Sequence, residues 1–96
     1  MTKETRLKRA VRYYLHLSGW FSFYILQGLG SYKGICDLIA VKNGKTLFIE
    51  LKRPKGRQSK HQIAFQKSIT DFGGTYLVVR SIGDLESYFN TGKDAF

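Results

Sequence analysis

Acidic residues are scarce in this sequence. Seven Asp and Glu stand against sixteen Lys and Arg over 96 residues, leaving a formal net charge of +9. An excess of that size implies a polyanionic partner, most often nucleic acid, although charge alone leaves a basic tail or a membrane-surface role open. Only one cysteine is present, Cys36, so no internal disulfide can form and the chain suits a reducing cytoplasm. No Cys and His cluster has zinc spacing. No apolar run approaches the ~20 residues that span a bilayer, and the charged start, Met1-Thr2-Lys3-Glu4, lacks the apolar stretch of a secretion signal. Repeats, low-complexity segments and linkers are also missing. What is present is apolar enough to exclude a disordered chain: 43% hydrophobic, 15% aromatic and a single proline. Residues 1–96 therefore form one small domain, which dimerisation would help to stabilise.

Leu7, Ala10, Val11, Tyr14, Leu15 and Ser18 recur at the spacing of one buried helical stripe, predicting a helix over residues 3–18 that stops at Gly19. Its other face is basic, with Lys3, Lys8, Arg9 and Arg12, while Glu4 lies on the stripe side. The aromatic run 20–26 predicts a strand, followed by a glycine-containing loop. Residues 35–42 and 45–52 flank Asn43-Gly44, the strongest short-range signal of a two-residue hairpin turn. That turn sets the register: Lys42 faces Lys45, Asp37 faces Glu50 and Ile35 faces Lys52. Pro54 closes the strand within a basic turn, 53–58. Ser59-x-x-Gln62 matches a capping box and opens a helix to about Phe72, ended by Gly73-Gly74. A buried-type strand over 75–80, a short helix over 84–89 and a loose end complete the chain. This order predicts an α/β fold, a mixed sheet flanked by helices.

The hairpin also carries the chemistry. Alternation puts Phe48, Glu50 and Lys52 on one strand face and Leu47, Ile49 and Leu51 on the other. Facing residues of an antiparallel pair project to the same side, so Asp37, Glu50 and Lys52 are expected to converge. Two opposed carboxylates repel, and a hard divalent cation such as Mg²⁺ resolves the conflict with one or two carboxylates, the Leu51 carbonyl, water and phosphate. Lys52 could orient an attacking water or offset charge building on a phosphate. These parts suit metal-assisted hydrolysis of a phosphodiester. The basic string Lys52, Arg53, Lys55, Arg57 and Lys60 gives a phosphate the positive neighbours that it needs.

Gly34-Ile35-Cys36-Asp37-Leu38-Ile39, then Glu50-Leu51-Lys52, resemble the PD-(D/E)XK nuclease signature. The stretch from Lys52 to Phe65, with its Pro/Gly turn, Ser59 and Gln62, and the later Gly73-Gly74 before a strand, resembles the VRR-NUC (virus-type replication-repair nuclease) branch. The resemblance covers roughly residues 4–90. It implies a restriction-endonuclease-like αβββαβ core, a requirement for Mg²⁺ or Mn²⁺, and cleavage of the DNA backbone. Asp37 and Glu50 match the metal-binding acids, Leu51 the residue lending its carbonyl, and Lys52 the catalytic lysine. Gln62 matches a glutamine beside the site, and Glu4 a first-helix glutamate that borders the metal. Stand-alone members of this size are similar to Holliday-junction resolvases, which implies a homodimer acting on branched DNA, such as a phage or prophage product in a bacterial cytoplasm. The proline that precedes the acid in that signature is Cys36 here, expected to point away from Asp37.

Each of these residues also has a plainer role. Glu4 suits a helix N-terminus by charge alone, Gln62 can serve only its capping box, and Gln66 shares the Gln62 face one turn on. His61 reads as solvated, and His16 as packed among apolar residues. Gly28 and Gly30 lack a following helix, which excludes a nucleotide loop; instead the loop lets DNA approach, with Tyr32 and Lys33 in reach. The aromatic run 20–24 fits core or dimer packing better than stacking on bases. Expected phosphate contacts are Lys3, Lys8, Arg9, Arg12, Lys33, Arg53, Lys55, Arg57 and Lys60. Two other functions share these features: a non-catalytic DNA-binding module on the same fold, and a restriction-type nuclease acting on linear duplex.

Overall fold

A computed structural model describes residues 1–91 of the chain; the expected loose end, residues 92–96, lies outside the described residues. The first helix, α1 (Lys3–Leu17), begins where the Thr2 hydroxyl accepts the Thr5 N–H, the usual way to satisfy an orphan N-terminal donor. Its buried stripe is narrower than the spacing predicts. Val11 and Leu15 are buried and Leu7 and Tyr14 half-buried, but Ala10 is exposed. Three strands follow: β1 (Phe21–Tyr24), β2 (Leu38–Lys42) and β3 (Lys45–Leu51). Asn43 and Gly44 both adopt positive φ, 50° and 79°, the backbone of the tight hairpin turn that an Asn-Gly pair favours. The register is the expected one from Lys42↔Lys45 to Leu38↔Ile49.

Ser59 and Gln62 form the full capping box of α2 (Lys60–Asp71). After it come β4 (Thr75–Val79) and α3 (Ile82–Asn90), two residues earlier than expected. The sheet order is β1-β2-β3-β4; the first two pairings are antiparallel and β3–β4 is parallel, with α2 as the crossover. This is the mixed sheet flanked by helices that the element order predicts. One face carries Leu38, Ala40, Leu47, Ile49 and Val79 against Val11, Leu15, Trp20 and Leu85. Full burial of each large aliphatic residue contributes ~1.5–3 kcal/mol. On the opposite face Phe65 of α2 meets Phe48 and Tyr76 at ring distances of 6.4 and 6.0 Å.

Candidate active site

The central strand β3 has a neighbour on each side, so side chains near its end are enclosed. Leu47 and Ile49 enter the α1/α3 layer, while Phe48 and Glu50 turn toward α2. Glu50 is thereby a carboxylate with 0% exposure. Its Oε1 accepts a short hydrogen bond from the Tyr76 hydroxyl and another from Gln58 Nε2 at 3.1 Å. Gln58 also donates to Gln66 Oε1 at 2.8 Å. The other oxygen, Oε2, is buried without a hydrogen bond and faces Lys52 Nζ at 3.6 Å. Burial, the hydrogen bond to Glu50 and the Glu50 charge together hold the Tyr76 phenol far above its usual pKa. It therefore stays protonated and keeps donating.

Asp37 sits just past the last ladder pair, and here the expected geometry changes. Its N–H donates to the Ile49 carbonyl at 3.0 Å, so it does not enter a regular pair with Glu50. Its carboxylate turns onto the strand end, accepting the Leu51 N–H at Oδ2 (2.6 Å) and Gln27 Nε2 at Oδ1 (3.0 Å). A free backbone donor at Leu51 is a better partner for a carboxylate than a second carboxylate. Ile35 likewise does not face Lys52: its N–H bonds the Tyr32 carbonyl, and the Lys52 N–H bonds Val79 of β4. The β2 strand accordingly starts at Leu38 rather than 35.

Asp37, Leu51 and Lys52 open into a groove of about 910 Å³ whose other walls include Lys3, Glu4, Lys8, Arg53, Lys55 and Arg80. Four of the expected phosphate contacts, Lys3, Lys8, Arg53 and Lys55, thus meet beside Lys52. Arg9 and Arg12 lie instead on a second groove, and Lys33, Arg57 and Lys60 are exposed outside both. Glu4 lines the first groove but is paired with Arg53, Nε to Oε1 2.9 Å. Among the described residues no group of three or more His, Cys, Asp and Glu side chains is placed to hold a metal ion. Gln62 is occupied in its capping box, where its Oε1 accepts the Ser59 N–H at 2.8 Å. The glutamines that reach the Glu50 cluster are Gln58 and Gln66.

Besides Gln27, which donates to Asp37, three groups at the site escaped sequence reasoning. Tyr76 arrives through the parallel β3–β4 pairing, in which it stands beside Phe48. Gln58 belongs to the basic turn, where charge drew attention instead. Arg80 ties that turn to the end of β4 by donating from Nη2 to the Gly56 carbonyl at 2.9 Å. Gly34, with φ of 79°, packs so closely on α2 that a Cβ there would lie 2.1 Å from the His61 carbonyl oxygen. The loop preceding Asp37 is thereby seated on the first turn of the helix that carries Gln66. His61 is exposed as expected, whereas His16 is exposed rather than packed.

No family model and no curated protein matches the chain. Among solved structures it is similar to a VRR_NUC domain, with 22% identity and a TM-score of 0.82 over 94% of this chain and 97% of that one. It is also similar to Hjc, a Holliday junction resolvase from the archaeal hyperthermophile Archaeoglobus fulgidus, with 22% identity and a TM-score of 0.60 over 77% of this chain and 64% of that one. At these identities the likeness speaks to the fold, and that fold is the VRR-NUC type which the spaced motifs resemble.

Proposed function

We propose that the chain is a metal-dependent, structure-specific endonuclease that hydrolyses phosphodiesters in branched DNA, such as four-way (Holliday) junctions, as a homodimer. The observation that carries this reading is Glu50: a fully buried carboxylate with one oxygen lacking a hydrogen bond, facing the Lys52 that lines a basic groove. A buried carboxylate oxygen without a hydrogen bond is costly, and it fits a hard divalent cation. Glu50, Asp37 and the Leu51 carbonyl are the oxygens that would hold Mg²⁺, or Mn²⁺ in its place, with water and phosphate completing the set. When bound, the ion polarises a phosphoryl oxygen and lowers the pKa of bound water.

The protein's own groups do the rest. Tyr76 and Gln58 fix the Glu50 carboxylate, and Gln27 and the Leu51 N–H fix that of Asp37. Lys52 orients the attacking water and offsets charge on the phosphate. Gln62 acts through the helix cap that steadies α2. Lys3, Lys8, Arg53, Lys55 and Arg80 hold the backbone in the groove, with Arg9, Arg12, Lys33, Arg57 and Lys60 extending the basic surface. The resolvase neighbour supports a branched substrate, and a two-fold pair of sites suits paired nicks across a symmetric junction.

The test is cleavage of end-labelled four-way junction, flap and linear duplex with Mg²⁺, Mn²⁺ or EDTA. Lys52→Ala is expected to lower cleavage by about a hundredfold or more, with junction affinity nearly intact. Symmetric, metal-dependent nicks in the junction support the proposal. A variant that cuts like the parent removes Lys52 from the mechanism, and tight binding without cutting under either metal makes the chain a binding module.

A further inference from the structure

The two oxygens of Glu50 stand in unequal surroundings. Oε1 accepts both the Tyr76 hydroxyl and the Gln58 amide, the latter at 3.1 Å. A carboxylate oxygen offers about two acceptor positions, so Oε1 has none left. Among the described residues Oε2 accepts no hydrogen bond. Both donors are themselves held. The Tyr76 ring packs edge-on against Phe65 at 6.0 Å, and Gln58 Nε2 also donates to Gln66 Oε1 at 2.8 Å, which uses both of its hydrogens. The donors belong to different parts of the fold, β4 and the turn that leads into α2, so no single local movement frees Oε1. Asp37 differs, taking the Leu51 N–H on one oxygen and Gln27 on the other.

We propose that Tyr76 and Gln58 are positioning residues that restrict Glu50 to one metal-binding oxygen, Oε2, and so make the site select a small octahedral cation, Mg²⁺ or Mn²⁺, over Ca²⁺. Ca²⁺ gathers roughly six to eight oxygens and readily takes both oxygens of one carboxylate, whereas Mg²⁺ holds to an octahedron and keeps several waters. An ion that gripped Glu50 through both oxygens would have to displace a donor from Oε1. That donor would be left without its acceptor in a partly buried place, which is costly. A smaller ion needs only Oε2 and leaves both hydrogen bonds intact. The proposal rests on the metal role assigned to Glu50 above, but on neither DNA nor cleavage.

The experiment is metal binding in the absence of DNA. Mn²⁺ is titrated into the protein, free Mn²⁺ is read by electron paramagnetic resonance, and Ca²⁺ then competes for the site. Tyr76→Phe keeps the ring and removes the hydroxyl, Gln58→Met keeps the length and removes the amide, and the double variant frees Oε1. The double variant is expected to raise Ca²⁺ affinity relative to Mn²⁺ by about tenfold, and each single variant by a smaller factor in the same direction. Gln58→Met, altered in a surface turn, carries the test by itself where loss of the Tyr76 hydroxyl prevents folding. A ratio within about twofold of wild type overturns the proposal, even where both affinities fall, since a merely structural pair would weaken both ions alike. With Mn²⁺ bound through Glu50 in the wild type, that outcome strikes this proposal alone. If Glu50→Gln binds Mn²⁺ as the wild type does, Glu50 holds no ion, and the metal reading falls together with this one.

Discussion

A carboxylate taken wholly out of water loses several kcal/mol of hydration unless partners replace it, and Glu50 has hydrogen bonds on one oxygen only. Tyr76 and Gln58 hold Oε1, while Oε2 meets Lys52 at 3.6 Å, longer than a hydrogen bond. The cluster extends to Cys36. Burial, followed by the Asp37 and Glu50 charges, raises its thiol from 9.0 to about 11 despite two backbone hydrogen bonds that lower it. The folded state therefore keeps a proton that the unfolded chain releases. Its contribution to stability is complete below about pH 9 and is lost as pH rises to about 11. Unfolding free energies from urea titrations at pH 8 and near pH 10.5 should differ by an amount on the order of 1–2 kcal/mol, and Cys36→Ser should flatten that slope. An equal slope in the variant would assign the loss to other groups. At this scale strand alternation, a local signal, sets Glu50 and Lys52 on one face of β3, whereas the hairpin register does not reach Asp37. Tyr76 and Arg80 escape such local signals, since nothing in a run of strand residues says which parallel partner it will meet.

The elements differ in how much freedom they leave their glycines, which makes two substitutions informative. Gly44 has open space around its Cβ position, and only its positive φ resists a side chain. Gly34 has both a positive φ and the His61 carbonyl in the way. Gly44→Ala is therefore expected to cost about 1 kcal/mol, and Gly34→Ala a further ~1–3 kcal/mol for the forced displacement of loop and helix. Thermal or urea unfolding separates the two, and equal losses would show that the loop yields without resistance. The hairpin was legible to its last ladder pair, Leu38↔Ile49. Beyond it the pattern misleads, because Asp37 exchanges a cross-strand neighbour for the Leu51 N–H and the strand ends early. Helix α1 shows the same limit from the other side: Ala10 and His16 sit among apolar letters, yet both face solvent.

The whole molecule is a small cation. A charge of +9 carried partly on two grooves should make nucleic-acid binding fall steeply with salt, at a log–log slope of ~0.9 per phosphate contact. A salt titration of junction affinity measures it, and a flat response would deny the grooves their assigned ligand. Removing one groove cation, as in Lys55→Ala, should lower the slope by about one contact. The fold as a whole was readable from a handful of spaced residues, even though no family model matches the chain. The chain has that fold in common with a structure at 22% identity.

The two sides of β3 are reached by very different lengths of chain. Its antiparallel neighbour closes through Asn43-Gly44, whereas β4 pairs only after the turn and all of α2 have been laid down. Loop closure costs more entropy for the longer path, so the hairpin is expected to assemble first and the last strand to dock late. In stopped-flow refolding, Leu38→Ala should slow folding, while Val79→Ala should mainly speed unfolding; the opposite pattern would reverse that order. Tyr76 and Arg80 travel with the late strand. A partly folded chain can therefore carry Asp37 and Glu50 on the hairpin without the hydroxyl that fixes Glu50 or the arginine that braces the turn, and the proposed hydrolytic competence would come only with the final docking step.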